Sequence, residues 1–96
     1  MKASEVKPDM RRIELELTIV EMEEPRAYTK RDGGEGRVAG AIGEDDSGRV
    51  KVSLWDADVD RVKVDNKIKI TNGYSRSFRG EVQVSSGLYG KLEVLD

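Results

Sequence analysis

The chain contains neither cysteine nor histidine. Without thiols there is no disulfide framework, no thiolate zinc site and no cysteine nucleophile. Without imidazole there is no ordinary general base or nitrogen ligand for a metal near pH 7. A Ser-based triad cannot be assembled, and most hydrolytic and redox chemistries fall away. The expectation is therefore a protein that is not an enzyme and needs no cofactor or metal. Apolar runs fall well short of a membrane span, and the polar start MKASEVKPDM has no signal-peptide core. A soluble, cytoplasmic protein with no membrane role is expected.

Aromatic residues are scarce, at 5%, with a single Trp and a single Phe, whereas charged residues reach 38%. The net charge is only −2, and the acidity is local: residues 1–24 carry four Lys/Arg against seven Asp/Glu, the remainder thirteen against twelve. Bulk charge does not announce a polyanion ligand, so any such case rests on placement. Ninety-six residues suit one domain over 1–96, with 1–10 read as an N-terminal extension.

Alternation with a period of two runs from Ile13 onward. Ile13, Leu15, Leu17 and Ile19 share one face of a first strand. The Gly-rich turn cluster TKRDGGEG follows at 29–36, then a strand over 37–42 with Val38 and Ile42 expected inward. Gly40 and Gly43 signal a bend or bulge. Asp45-Asp46-Ser47-Gly48 is a tight turn rather than a metal pair, since adjacent carboxylates in a turn diverge. In GRVKVSLW, Val50, Val52 and Leu54 point one way and Arg49, Lys51, Ser53 and Trp55 the other. A short helix over 56–63 begins with Asp56 as its cap and buries Val59 and Val62. Ile68 and Ile70, then Val82 and Val84, then Leu92 and Val94 mark the remaining strands. Five strands with one short helix after the third predict an all-β, Greek-key barrel of OB type, a partly open SH3-like barrel being the alternative.

The rings decide the functional reading. Trp55 falls in phase with two cations, not with the aliphatics. Phe78 lies in the polar, loop-like stretch 75–80, with Arg76 and Arg79 beside it, and Tyr74 stands just before it. Rings interleaved with cations suit a ligand with exposed bases and phosphates. Arg26, Lys30, Arg31 and Arg37 surround the first hairpin loop. Tyr28 and Tyr89 read as core or strand-edge rings. RDGGEG lacks the Lys-Ser/Thr of a phosphate-cradling loop and reads as a flexible hairpin.

In DDSGRVKVSLWD followed by GYSRSFRG, the sequence resembles the archaeal single-stranded DNA-binding proteins and the OB domains of replication protein A. The resemblance covers nearly the whole chain. It implies stacking on Trp55, Tyr74 and Phe78. It also implies backbone contacts from Arg49, Lys51, Arg76 and Arg79, with Lys30 and Arg31 from the loop, beside Arg37. The partner implied is single-stranded DNA in replication or repair, with nucleoid association in an archaeon. Single-stranded RNA shares the same surface. Contacts with other OB subunits or replication and repair proteins form the competing class. Val64-Asp65-Asn66 departs from the family's usual Gly-Asp turn. The tail and zinc module of some relatives have no counterpart here, so one domain of a larger protein or a stand-alone paralogue is expected.

Overall fold

The computed structural model describes residues 1–87 and 90–95; the expectation for Tyr89 lies outside them. A 3-10 turn at Ala3–Glu5 precedes β1 (Arg11–Met22), β2 (Arg26–Thr29), β3 (Glu35–Asp45) and β4 (Gly48–Trp55). Then come α1 (Ala57–Arg61), β5 (Lys67–Phe78), β6 (Glu81–Ser85) and β7 (Lys91–Val94). Pairing runs β1-β3-β4-β6-β5, and β1 also pairs with β5, which closes a five-stranded barrel. The short strands β2 and β7 lie outside that ring, paired to β3 and β5. Among the described residues, no helix is long and apolar enough to cross a membrane.

The barrel interior is aliphatic. Ile13, Leu15, Leu17 and Ile19 of β1 meet Ile68 and Ile70 of β5 and Val52 and Leu54 of β4, all at or near zero exposure. Val59 and Val62 bring α1 onto the same core. Each such side chain contributes roughly 1.5–3 kcal/mol by leaving water, so the parity of these strands is fixed by the core.

On β3 the expected phase is reversed. Ala39, Ala41 and Gly43 face inward, while Val38 and Ile42 are only half-buried on the outer surface. The reason is volume: a Cβ on Gly43 would lie 2.7 Å from Leu17 Cδ1, so β1 already fills the space and only small residues fit beneath it. The bulge falls on the partner strand, where the β1–β3 register shifts between Ile19 and Glu21.

The stretch read as a 75–80 loop is instead strand, and only Arg79-Gly80 turns. Both adopt positive φ, 53° and 80°, as a two-residue type I′ hairpin requires. Asp65, with φ 77°, takes the left-handed position at the turn before β5, and the Asn66 side chain accepts the Lys63 amide at 2.8 Å.

Residues 1–10 lie against the barrel. The Ala3 and Ser4 amides donate to Asp45 Oδ2 and Ser47 Oγ in the β3–β4 turn, at 2.7 and 3.0 Å. The Met10 amide donates to Ser75 Oγ at 3.0 Å. The Ser47 hydroxyl, then the amides of Ala3, Ser47 and Gly48, hold the Asp45 carboxyl at about 2 against the upward push of burial. A carboxyl depressed in the fold stabilises it fully above its unfolded value of about 4, and that stability drains away as pH falls toward about 2. Asp45→Asn is therefore expected to shrink the drop in urea midpoint between pH 5 and pH 2. An equal drop in both proteins would remove Asp45 from the account.

Candidate nucleic-acid interface

The outer face follows from the inner one. With Val52 and Leu54 sealed inside β4, Arg49, Lys51, Ser53 and Trp55 must point out. Across β3 they meet Glu44, Ile42, Gly40 and Val38 respectively. On the other side, β6 runs parallel to β4 and sets Gln83 opposite Lys51. The Ser53 hydroxyl donates to Gln83 Oε1 at 2.9 Å, tying the two strands on this face. Farther along, Arg76 of β5 stands opposite Gln83, Tyr74 opposite Ser85 and Phe78 opposite Glu81. Ser75 and Val84, between them, are buried. Trp55, Tyr74 and Phe78 thus share one outward face, supplied by β4 and β5.

The rings occupy two grooves rather than one. A groove of about 810 Å³ is lined by Trp55, Tyr74, Tyr28, Arg11 and Arg12. A second, of about 460 Å³, holds Phe78, Arg79, Arg26, Lys51 and Gln83. Tyr28 stands edge-on to Trp55, with centroids 5.2 Å apart and planes at 87°, a favourable ring geometry. Its hydroxyl donates to Asp56 Oδ2 at 3.1 Å. Burial first, and then that carboxylate, push the phenol above its ordinary pKa. Among the described residues, the Trp55 indole N–H is the one buried side-chain polar group without a partner. Tyr74 lies over Gly87, where a Cβ would come within 2.6 Å of its ring. The Arg76 guanidinium is 5.9 Å from the Tyr74 centroid, and that of Arg79 is 5.3 Å from Phe78. Phe78 is 55% exposed.

The cations divide into two groups. Lys51 lies 3.3 Å from Glu23 and 3.9 Å from Glu81. Arg49 pairs with Glu44 at 3.3 Å and Lys30 with Asp56 at 3.7 Å, and Arg37 pairs with Asp60. Among the described residues, Arg31, Arg76 and Arg79 are in no ion pair. The face is therefore of mixed sign, and only part of the expected basic set is uncommitted to a carboxylate.

Three contributors escaped the alternation argument. Arg11 and Arg12 line the Trp55–Tyr74 groove, Arg11 paired with Tyr74 in the sheet. Their signal, an Arg pair that opens the first strand, is masked in the sequence by the acidic segment around it. Tyr28 is at the β2 edge as expected, yet lines the groove as well. Asp56 occupies the N-cap position of α1 as expected, but its side chain makes no capping bond. Burial pushes the Asp56 carboxyl up, but the Arg37 amide, the Tyr28 hydroxyl and Lys30 together hold it below its ordinary pKa. No group of His, Cys, Asp or Glu among the described residues is arranged to hold a metal.

No protein-family model matches the chain. It is 30% identical over 91 residues to the single-stranded DNA binding protein Ssb of Saccharolobus solfataricus, spanning 95% of this chain and 61% of that protein. It is 32% identical over 72 residues to Replication factor A of Methanothermobacter thermautotrophicus, spanning 74% of this chain and 9% of that protein. The second OB-fold domain of replication protein A from Methanococcus maripaludis superimposes with a TM-score of 0.78 at 19% identity, covering 100% of this chain and 94% of that domain. This is an OB fold. The OB barrel is closed by β1 and β5, and its ring-bearing face is β3, β4, β6 and the end of β5.

The exposure of Phe78 makes a stability contrast testable. Phe78→Ala is expected to change the unfolding free energy of the OB domain by no more than about 0.5 kcal/mol. Leu54→Ala, at 0% exposure, should cost about 2–5 kcal/mol. Denaturant melts of the two variants check this, and a large loss from Phe78→Ala would mean that its ring serves the fold.

Proposed function

We propose that this domain binds single-stranded DNA with little sequence preference and catalyses no reaction. The strand lies across β3 and β4, between the 29–36 hairpin and the β5–β6 turn. The observation that carries this reading is the placement of Trp55, Tyr74 and Phe78 on one outward face of a barrel whose hydrophobic core, among the described residues, holds no ring. Large rings left outside such a core gain most when a base covers them, and base stacking tolerates any sequence. Each ring accounts for about 1–3 kcal/mol.

Arg76, Arg79 and Arg31 supply phosphate contacts in this reading, with Arg11, Arg12 and Arg26 along the groove walls. Lys51, Arg49, Lys30 and Arg37 contribute less, because a phosphate must compete with their carboxylates. The chain spans 61% of the Ssb protein and 9% of Replication factor A. Its place in a replication or repair assembly, and contact there with other OB subunits, belong to the same proposal.

Titrating oligo-dT against the fluorescence of the single Trp tests the reading. Strong quenching is expected, and Trp55→Ala, read instead by the anisotropy of end-labelled oligo-dT, should bind about 5- to 150-fold more weakly, equivalent to about 1–3 kcal/mol. No change at low salt would abandon it. Competition with matched oligo-U decides between DNA and RNA, since only RNA offers the 2′-hydroxyl.

Salt separates the two groups of cations. With about three phosphates neutralised, log affinity should fall against log salt with a slope of about −2. Arg79→Ala should reduce that slope by about 0.7, whereas Lys51→Ala should leave it nearly unchanged. The reverse ranking would show that Glu23 and Glu81 do not hold Lys51 back.

A further inference from the structure

Trp55 ends β4, and the chain leaves the strand through Asp56 with φ 51° and ψ −117°. Few residues bearing a Cβ occupy that region, and glycine would do so without strain. An aspartate held there calls for a use of its side chain. The carboxylate turns back over the β2–β3 hairpin. It accepts the Tyr28 hydroxyl at 3.1 and 3.3 Å and the Arg37 amide at 3.2 Å, and Lys30 Nζ stands 3.7 Å away. The Asp56 amide in turn donates to the Arg37 carbonyl at 2.8 Å. Gly36 leaves the room this needs: a Cβ there would lie 2.5 Å from Asp56 Oδ1 and 2.6 Å from Tyr28 Cε1. Tyr28, fixed at its hydroxyl, braces Trp55 edge-on.

We infer that Asp56 is a positioning residue for the ligand face: its carboxylate holds the β2–β3 hairpin, through Tyr28, against Trp55. It thereby sets the plane that the Trp55 ring offers to a base. The inference rests on the reading of Trp55 as a stacking surface. It explains why one carboxylate gathers contacts from three residues of the hairpin while leaving α1 uncapped. The chain keeps a costly backbone conformation beside its tryptophan because glycine, which would relieve it, has no group to reach the tyrosine.

Asp56→Gly tests this directly, because it relieves the backbone while deleting the carboxylate. The variant should melt within a few degrees of the parent. It should lose the nuclear Overhauser contacts between the Tyr28 and Trp55 rings and bind oligo-dT about five- to tenfold more weakly, the cost of re-ordering one or two side chains. Unchanged ring contacts and affinity would overturn the inference. So would a lower melting temperature with unchanged affinity of the folded protein, which would make Asp56 merely structural. If Asp56→Gly does not fold, Tyr28→Phe removes only the hydroxyl link and should weaken binding about two- to threefold; unaltered affinity and ring contacts there would overturn the inference equally. Should the parent show no DNA binding, the stacking reading fails, while the ring contacts of parent and variant still decide whether Asp56 places Trp55.

Discussion

The structure depends on a parity constraint in β4. Val50, Val52 and Leu54 are packed into the barrel, so the pleat turns Arg49, Lys51, Ser53 and Trp55 to the other side. Burying Trp55 would take Val52 and Leu54 out of the core, each worth roughly 1.5–3 kcal/mol of transfer free energy. Register then carries the face outward from β4, to Gln83 through the parallel β4–β6 pair and to Tyr74, Arg76 and Phe78 through the β5–β6 hairpin. A polar and aromatic surface is what remains after the aliphatics have been placed.

That constraint explains what could be read in advance. Strands such as IELELTI and GRVKVSLW have one apolar parity, so their inward face and the outward Trp55 were legible. In RVAGAIG both parities are apolar, and choosing the larger residues put Val38 and Ile42 inside. The choice depended on Leu17, which occupies the space beneath Gly43, so that the parity of Ala39, Ala41 and Gly43 is the one that faces in. The outward position of Val38 and Ile42 adds apolar surface beside Trp55 and Lys51. The β5–β6 turn was narrowed in the same way, by a backbone property rather than a pattern, since Arg79 takes the positive φ that lets the strand run on to Phe78.

Electrostatics was the least legible level. The sequence shows cations near rings, but only the fold shows that Glu23 and Glu81, remote from Lys51 in the chain, stand beside it. Asp56 likewise looked like a helix cap and instead faces Lys30 and Tyr28. A face of mixed sign, on a domain of net charge −2, draws less on counterion release than a uniformly basic one. In the proposed binding mode more of the affinity falls on the rings, which makes their orientation matter and gives the inferred hairpin clasp around Trp55 its weight.

The central claim is that a nucleic acid strand settles on the β3–β4–β6 face and the end of β5. Amide and indole chemical-shift mapping with an oligo-dT of about five nucleotides is its most direct test. The account predicts that the Trp55 indole signal and the amides of Gly40, Ser53, Tyr74, Phe78 and Gln83 move together, while Glu14, Glu16 and Lys69 on the opposite face stay still. Shifts confined to that opposite face, or none at all, would contradict it.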